Sequence, residues 1–474
     1  MNSSPALLSP VDGRGRPYGT AHDAERDLGI DLSPHAFVEE EYFLSGTAGT
    51  WDSAEPGSPE RGRSALAYRT RVLVRRPARA VLASGTTHVE PLHPHLDAGL
   101  SWSALAPHFL RRGDAWVGVT VFPQVAGLMR ERIDPARYGS LIVPGGGTEW
   151  DVFSDALTAI RRGDIPGLVA SRVVISGWSA TGSFCRVFAR EGFATARGGL
   201  ADAVAIFISS GGAGSAGYPA LSSASTPIAT DDPRRTIRDV GLPTFEILSE
   251  TESETHRRQL RDDSDDPGDT YRLYQIAGSA HIEDWPSAAP THEPALRASG
   301  VDLPPIAVRE KRTDARTDLV ARALVDRLVE TLDGRTPPRG PRFAYAEGDV
   351  PERRMLRRDP DGNVAGGIRP PWITAPLAAY SPHGTPAEAA SAGPDWTPLA
   401  DPDLAAGLVG TMTAFPSSEV ERRYASEQDY RARFTAATRD LVTAGFLLAE
   451  DAAELDSSAA PRWADATGCE PGDA

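Results

Sequence analysis

The sequence predicts an α/β protein with a mostly parallel central sheet and helices on both faces. Two observations predict it. From Ala80 to about Gly278, short runs rich in β-branched and aromatic residues recur, as in strands buried on both faces of a sheet. Between them lie amphipathic stretches of helical length, several closed by glycine.

Residues 1–36, rich in Gly, Pro, Asp and Arg, read as an irregular N-terminal segment. FVEEEYFLSGTA (37–48) and YRTRVLVRRP (68–77) read as two strands of an N-terminal β extension spanning 37–79. The core spans 80–335. Its strand candidates are AVLAS (80–84), AWVGVTVF (115–122), SLIVPG (140–145), RVVISG (172–177), AVAIFIS (203–209), TFEILS (244–249) and YRLYQIAG (271–278). Helices are expected at 103–113, 151–163 and 314–334. A Pro- and Gly-dense elaboration, 336–456, follows and ends in a helical pair near 424–456; it is expected to pack on the core and help form or cover the pocket. Residues 457–474 read as a frayed tail. The segment between 203–209 and 244–249, where a lid often inserts, is short and rich in Gly, Ala and Ser.

The 474 residues are 40% hydrophobic and 24% charged, an ordinary globular balance. A formal net charge of −16 argues against a nucleic-acid binder, whose footprint is basic. Lys311 is the only lysine, which removes lysine-based phosphate loops and Schiff-base chemistry. Cys185 and Cys469 form no framework and no metal pattern. The N-terminus shows no apolar signal region, and no apolar run approaches the roughly 18 residues of a spanning helix, so a cytoplasmic protein without a membrane partner is expected.

The most informative segment is RVVISGWSATGSFCRVFAREGF (172–193). A strand runs into Gly177-Trp178-Ser179-Ala180-Thr181-Gly182 and then into a helix, the layout of a nucleophile elbow. The pattern departs from G-x-S-x-G because the second glycine is one place late, with Thr181 in its slot. An ordinary strand–turn–helix connection with a structural serine is the bland alternative. Chain order favours the elbow: a strand ending in ILSETESE follows the serine, then one ending in IAGSAHIEDW. Serine, acid and histidine thus occur in the order that α/β hydrolases use. Ser179 is the candidate nucleophile and His281 the candidate base. Glu250, immediately after its strand, is the favoured acid, with Glu252 the alternative. Ala180 N–H is one expected oxyanion donor; Gly85 or Thr86, in ASGTTHVEP, is the other.

These residues resemble a bacterial family of α/β hydrolase domain-containing proteins over roughly 37–456. The similar segments are FVEEEYFLSGTA, YRTRVLVRRP, AWVGVTVFPQ, ISGWSATGSF, ILSETESE, YRLYQIAGSAH and RDPDGNVAGGIRPPWITAP (358–376). The late second glycine is that family's form too. The resemblance implies the α/β-hydrolase fold, Ser179 and His281 in triad roles, an acid in the Glu-Thr-Glu segment, and hydrolysis of esters or lactones. In the oxyanion region ASGTTHVEPLHP replaces the family's usual strand end.

Other pocket candidates are Trp178, Trp285, His88 and Arg369. Trp178 and Trp285 are either an apolar wall or core. Arg369, in GGIRP, either clamps a substrate carboxylate or ties its loop down, the latter favoured. His88, His93 and His95 fit no common zinc spacing and read instead as a loop lining the site's mouth. PGGG (144–147) lacks the Gly-Lys-Ser/Thr of a phosphate loop and reads as a turn. No metal and no cofactor are expected; the partner is a small-molecule ester or lactone, and oligomeric state is open. The expected activity is therefore a serine hydrolase working through an acyl-enzyme. An acyltransferase on the same scaffold, a peptidase and a non-catalytic binding protein are the competing readings.

Overall fold

The computed structural model describes residues 5–11, 15–23, 28–52, 59–62, 65–209, 221, 236–255, 260–285, 296, 306–346, 355–388 and 400–468. By its internal contacts the chain divides into two units. One comprises Met1–Phe245, Arg258–Tyr271 and Pro286–Leu303; the other comprises Glu246–Arg257, Arg272–Trp285 and Pro304–Ala474.

The first unit holds β1 (Leu7–Pro10), β2 (Phe37–Ala48), β3 (Leu66–Pro77), β4 (Thr86–Pro91), β5 (Ala115–Val119), β6 (Arg172–Trp178) and β7 (Ala203–Phe207). In the sheet they run β1-β2-β3-β5-β4-β6-β7. The first three joins are antiparallel, and β5, β4, β6 and β7 are mutually parallel. Helices α1 (Leu100–Arg112), α2 (Glu149–Arg162) and α3 (Ala180–Arg190) connect these strands. The core beside α2 and α3 is aromatic: Trp150 stacks on Phe184 at 4.4 Å, and Phe153 meets Phe188 edge-on at 5.1 Å.

β8 (Thr244–Leu248) begins in the first unit and continues in the second, where Ile276 N donates to Leu248 O just beyond the end of β9 (Tyr271–Gln275). The second unit also carries α4 (Glu250–Thr255), α5 (Thr317–Thr331), α6 (Glu427–Ala444) and α7 (Ala459–Thr467). A three-stranded sheet joins β10 (Lys311–Arg312), β11 (Ala378–Ser381) and β12 (Thr411–Ala414) in the order β10-β12-β11. α5 is buried on nearly every side, and its Arg322 is offset by Asp318, Asp451 and Glu454.

Several expectations need correction. AVLAS is no strand: Ala80–Leu82 form one 3₁₀ turn, with Val81 82% exposed, and the strand begins at Thr86. SLIVPG contributes only a single bridge, Arg69 to Ile142. The segment 1–36 supplies β1, paired along β2, so it is not wholly irregular. The two strands expected within 37–79 are present, and they join the main sheet, β3 pairing with both β2 and β5. The tail from 457 is helical to Thr467; Arg462 is buried, donates to Tyr380 Oη at 3.0 Å and pairs with Asp314 at 2.6 Å. Residues 246–257 and 272–285 group with the C-terminal part, so the boundary drawn at 335 does not separate the units.

Candidate active site

β6 delivers the chain to Ser179, which stands between the strand and α3 at φ 58°, ψ −124°. A residue with a Cβ rarely takes this backbone, and it persists only where its surroundings over-determine it. Those surroundings are visible. Ser179 N donates to Phe207 O at 3.0 Å, and Ser179 O accepts from Ser183 N at 3.0 Å. Thr181 Oγ1 accepts from Trp178 N and donates to Trp178 O, both at 2.9 Å, which closes the turn.

Two glycines make room. A Cβ on Gly177 would lie 2.2 Å from the Thr181 carbonyl oxygen. On Gly182 it would lie 2.8 Å from Ser209 Cβ and 2.9 Å from Phe207 O. This explains the late second glycine: Thr181 works in its slot through its hydroxyl, while close approach to β7 falls one residue later. Ser179 and Ala180 are half-buried. Ala180 opens α3, so its N–H has no acceptor within the helix.

In the second unit the acidic segment after β8 is the helical turn α4, not an extended loop. Helical spacing puts Glu250 and Glu254 on one side of the turn and Glu252 on the other. Glu252 Oε1 meets His281 Nδ1 at 2.6 Å, and its second oxygen accepts from the Ser249 hydroxyl. Burial pushes the Glu252 carboxyl up, but the imidazole and the Ser249 hydroxyl outweigh it and hold the group below the ordinary carboxylate range. The favoured acid, Glu250, is engaged elsewhere: it accepts from Gly278 N at 2.7 Å and Arg358 Nη1 at 2.5 Å. Burial raises its pKa, with Arg358 and the Gly278 N–H only partly countering. The geometry therefore places Glu252, not Glu250, on His281. Glu254 faces His383 Nε2 at 2.8 Å.

The loop bearing His281 is held by Glu283. Its carboxylate accepts from Ala280 N at 2.9 Å, Thr317 Oγ1 at 2.8 Å and Trp285 Nε1 at 2.8 Å, and burial pushes its pKa up to about 7. Trp285 thus serves the loop's shape.

The remaining candidates fall away from the reacting end. Gly85 and Thr86 lie where β4 begins, in register with Arg172 at the start of β6, so they sit at the opposite end of the strands from Ser179 and are no oxyanion donors there. His88 is fully buried in mid-strand, bonded to Asp114 at 3.0 Å and stacked on Phe109 at 4.1 Å. Trp178 is core, stacked on Phe207 at 5.1 Å. Arg369 ties its own loop, to Asp359 at 2.9 Å and Val364 O at 2.6 Å. Among the described residues no group of three or more His, Cys, Asp or Glu is arranged to hold a metal, and no helix is long and apolar enough to cross a membrane. The Gly-, Ala- and Ser-rich segment after β7 lies outside the described residues apart from Leu221.

Sequence reading passed over Ser249 and Arg358. The i, i+4 spacing of Glu250 and Glu254 is a helical signal that points two carboxylates at one cation. Arg358 also opens the motif RDPDGN, otherwise without a role.

The sequence model of the alpha/beta hydrolase domain family matches residues 5–457. The chain belongs to that family. As a member of the alpha/beta hydrolase domain family it is a hydrolase. No curated protein matches the sequence. Among solved structures, a thermostable esterase from Pseudomonas putida is 14% identical with a TM-score of 0.34, over 58% of this chain and 83% of that one. Dienelactone hydrolase from Anabaena variabilis is 16% identical with a TM-score of 0.28, over 54% of this chain and 96% of that one.

Proposed function

We propose that this α/β hydrolase is a serine hydrolase of small carboxylic esters or lactones, with Ser179 as nucleophile, His281 as general base and Glu252 as the acid that orients it. The observation that carries the reading is the backbone of Ser179. A serine at φ 58° on a strand-to-helix turn, fixed by two indispensable glycines, is costly for folding alone and serves to expose a hydroxyl at a helix start.

The chemistry follows from the groups. A serine hydroxyl attacks an acyl carbon only as its proton leaves, and His281 Nε2 is the acceptor. The Glu252 carboxylate holds the His281 proton on Nδ1 and stabilises the imidazolium that forms. Ala180 N–H donates to the oxygen of the tetrahedral intermediate. Its collapse breaks the bond to the alcohol, which takes the proton from His281. Water then attacks the acyl-serine by the same route and releases the acid.

The test is labelling with a fluorophosphonate probe, with p-nitrophenyl acetate turnover in parallel. Wild-type protein is expected to label and turn over, and Ser179→Ala to do neither. A well-folded wild type that takes no label refutes the reading.

A further inference from the structure

We propose that His383 is a positioning residue for the acid–base pair: it clamps α4, which carries Glu252, to the segment on which the His281 loop is seated. The inference rests on Glu252 and His281 as that pair. The His383 ring stands between two acceptors. Nδ1 donates to Gly407 O at 2.6 Å, and Nε2 meets Glu254 Oε2 at 2.8 Å. A carbonyl oxygen only accepts, so Nδ1 carries a proton, and one further proton lies between Nε2 and the Glu254 carboxylate. The ring thus bonds both partners at once and sets the distance between them.

Each partner leads to one member of the pair. Glu254 is buried on the six-residue α4, two positions from Glu252. Gly407 opens the run 407–410, in which Leu408 O accepts from Ile282 N at 2.9 Å and Gly410 N donates to Ile282 O at 3.0 Å. Ile282 is the residue after His281. A shorter path runs beside this one: His281 N donates to Thr251 Oγ1 at 3.2 Å, and Thr251 Oγ1 donates to Pro382 O at 3.2 Å. Residues 382 and 383 therefore hold α4 at Thr251 and at Glu254, an i, i+3 pair on one side of the turn.

The clamp is itself fixed. His383 O accepts from Ser381 Oγ and from Thr411 Oγ1, both at 2.9 Å, and His383 N donates to Ser381 Oγ at 3.2 Å. Ser381 ends β11 and Thr411 begins β12, so the histidine hangs from the three-stranded sheet. A reacting pair needs such supports, because a displacement of about 1 Å costs on the order of 10²-fold in rate. Packing gains little from the ring: its side chain is 30% exposed. Arg358 Nη2, 4.0 Å from Glu254 Oε1, remains to offset that carboxylate when the ring is removed.

His383→Leu removes both bonds, and His383→Gln keeps an N–H toward Glu254. Both are assayed on p-nitrophenyl acetate, alone and in the Glu252→Gln background, with thermal melts by circular dichroism. The leucine variant is expected to lose about 10–10²-fold in kcat with KM within about twofold, and the glutamine variant to recover at least about threefold of that loss. In the Glu252→Gln background the same leucine substitution is expected to cost less than about threefold, because the contact it protects is already broken. A general structural role would lower both backgrounds alike. Wild-type kcat in a folded leucine variant, or the same fold-loss in both backgrounds, overturns the assignment. If the leucine variant does not fold, His383→Asn, which keeps a donor for Gly407 and drops Glu254, is read by the same outcomes. Glu252→Gln alone keeps the two readings apart: if it retains wild-type turnover, the acid–base pair itself is misassigned, whereas if it is nearly dead and a folded His383→Leu is fully active, only the His383 role falls.

Discussion

Glu252→Gln removes one charge from the His281 pair while keeping the side chain's length. The wild-type contact is 2.6 Å from Nδ1 to Oε1, with the Ser249 hydroxyl on the second oxygen. A glutamine can turn its oxygen to Nδ1–H, which preserves the tautomer but loses the charge that stabilises imidazolium. It can also turn its amide nitrogen there, since the Ser249 hydroxyl serves as donor or acceptor; the proton then moves to Nε2 and the base is blocked. Either arrangement costs about 10³–10⁴ in kcat, or about 4–5.5 kcal/mol of barrier. Glu250→Gln is the matched control. Its carboxylate faces Arg358 and Gly278 N on the other side of the turn, so turnover should stay within about threefold while stability falls by about 1–2 kcal/mol. Steady-state kinetics on p-nitrophenyl acetate and urea midpoints read both. A larger loss of turnover in Glu250→Gln than in Glu252→Gln would refute the reasoning.

Gly177→Ala places a methyl 2.2 Å from the Thr181 carbonyl oxygen, 2.4 Å from its carbon and 2.7 Å from Gly182 N. All three are backbone, so none can swing aside; a loss of about 3 kcal/mol or more in urea unfolding and loss of fluorophosphonate labelling are expected, and a wild-type midpoint with full labelling would contradict this. Glu90 is fully buried, and burial pushes its carboxyl from the ordinary 4.5 up to about 7 despite N–H donors from Trp116, Trp102 and Ser101. Between those values the folded chain holds a proton that the unfolded chain has released, so stability falls by about 3 kcal/mol as pH rises from 4.5 to 7 and this group adds no further change above. Unfolding midpoints at pH 5 and pH 8 should differ less in Glu90→Gln than in wild type.

Where side chains meet neighbours along the chain, the sequence was readable. FVEEEYFLSGTA is a strand over the expected residues, and the elbow stands where its glycines put it. What misled was apolarity without partners. AVL at 80–82 looks buried and is exposed, whereas THVE is buried because His88 finds Asp114 and Glu90 finds the first N–H groups of α1. Those partners lie eleven or more residues away, beyond any periodicity. The error carried over to the site: with the strand set six residues early, Gly85 and Thr86 were read at its far end, whereas they stand at its start. The choice between two glutamates failed for a similar reason. Distance from the strand end matters less than which side of a helical turn each residue occupies, and a six-residue helix is too short to announce itself.

The RDPDGN…GGIRP segment has a consequence for the whole chain's behaviour in solution. Ile368 bonds to the C-terminal end of β9 on both sides, accepting from Ala277 N at 2.9 Å and donating to Gln275 O at 2.8 Å. β9 is the last strand of its sheet, and an open last strand is a template on which another chain can add. The chain supplies its own final rung there, and Arg369 bolts that rung down through Asp359. A protein cut short before Arg358 would keep all the groups assigned to chemistry yet expose a raw sheet edge. Self-association at that edge is the failure expected of it, together with loss of the Ile282–Val409 bridge beside His281.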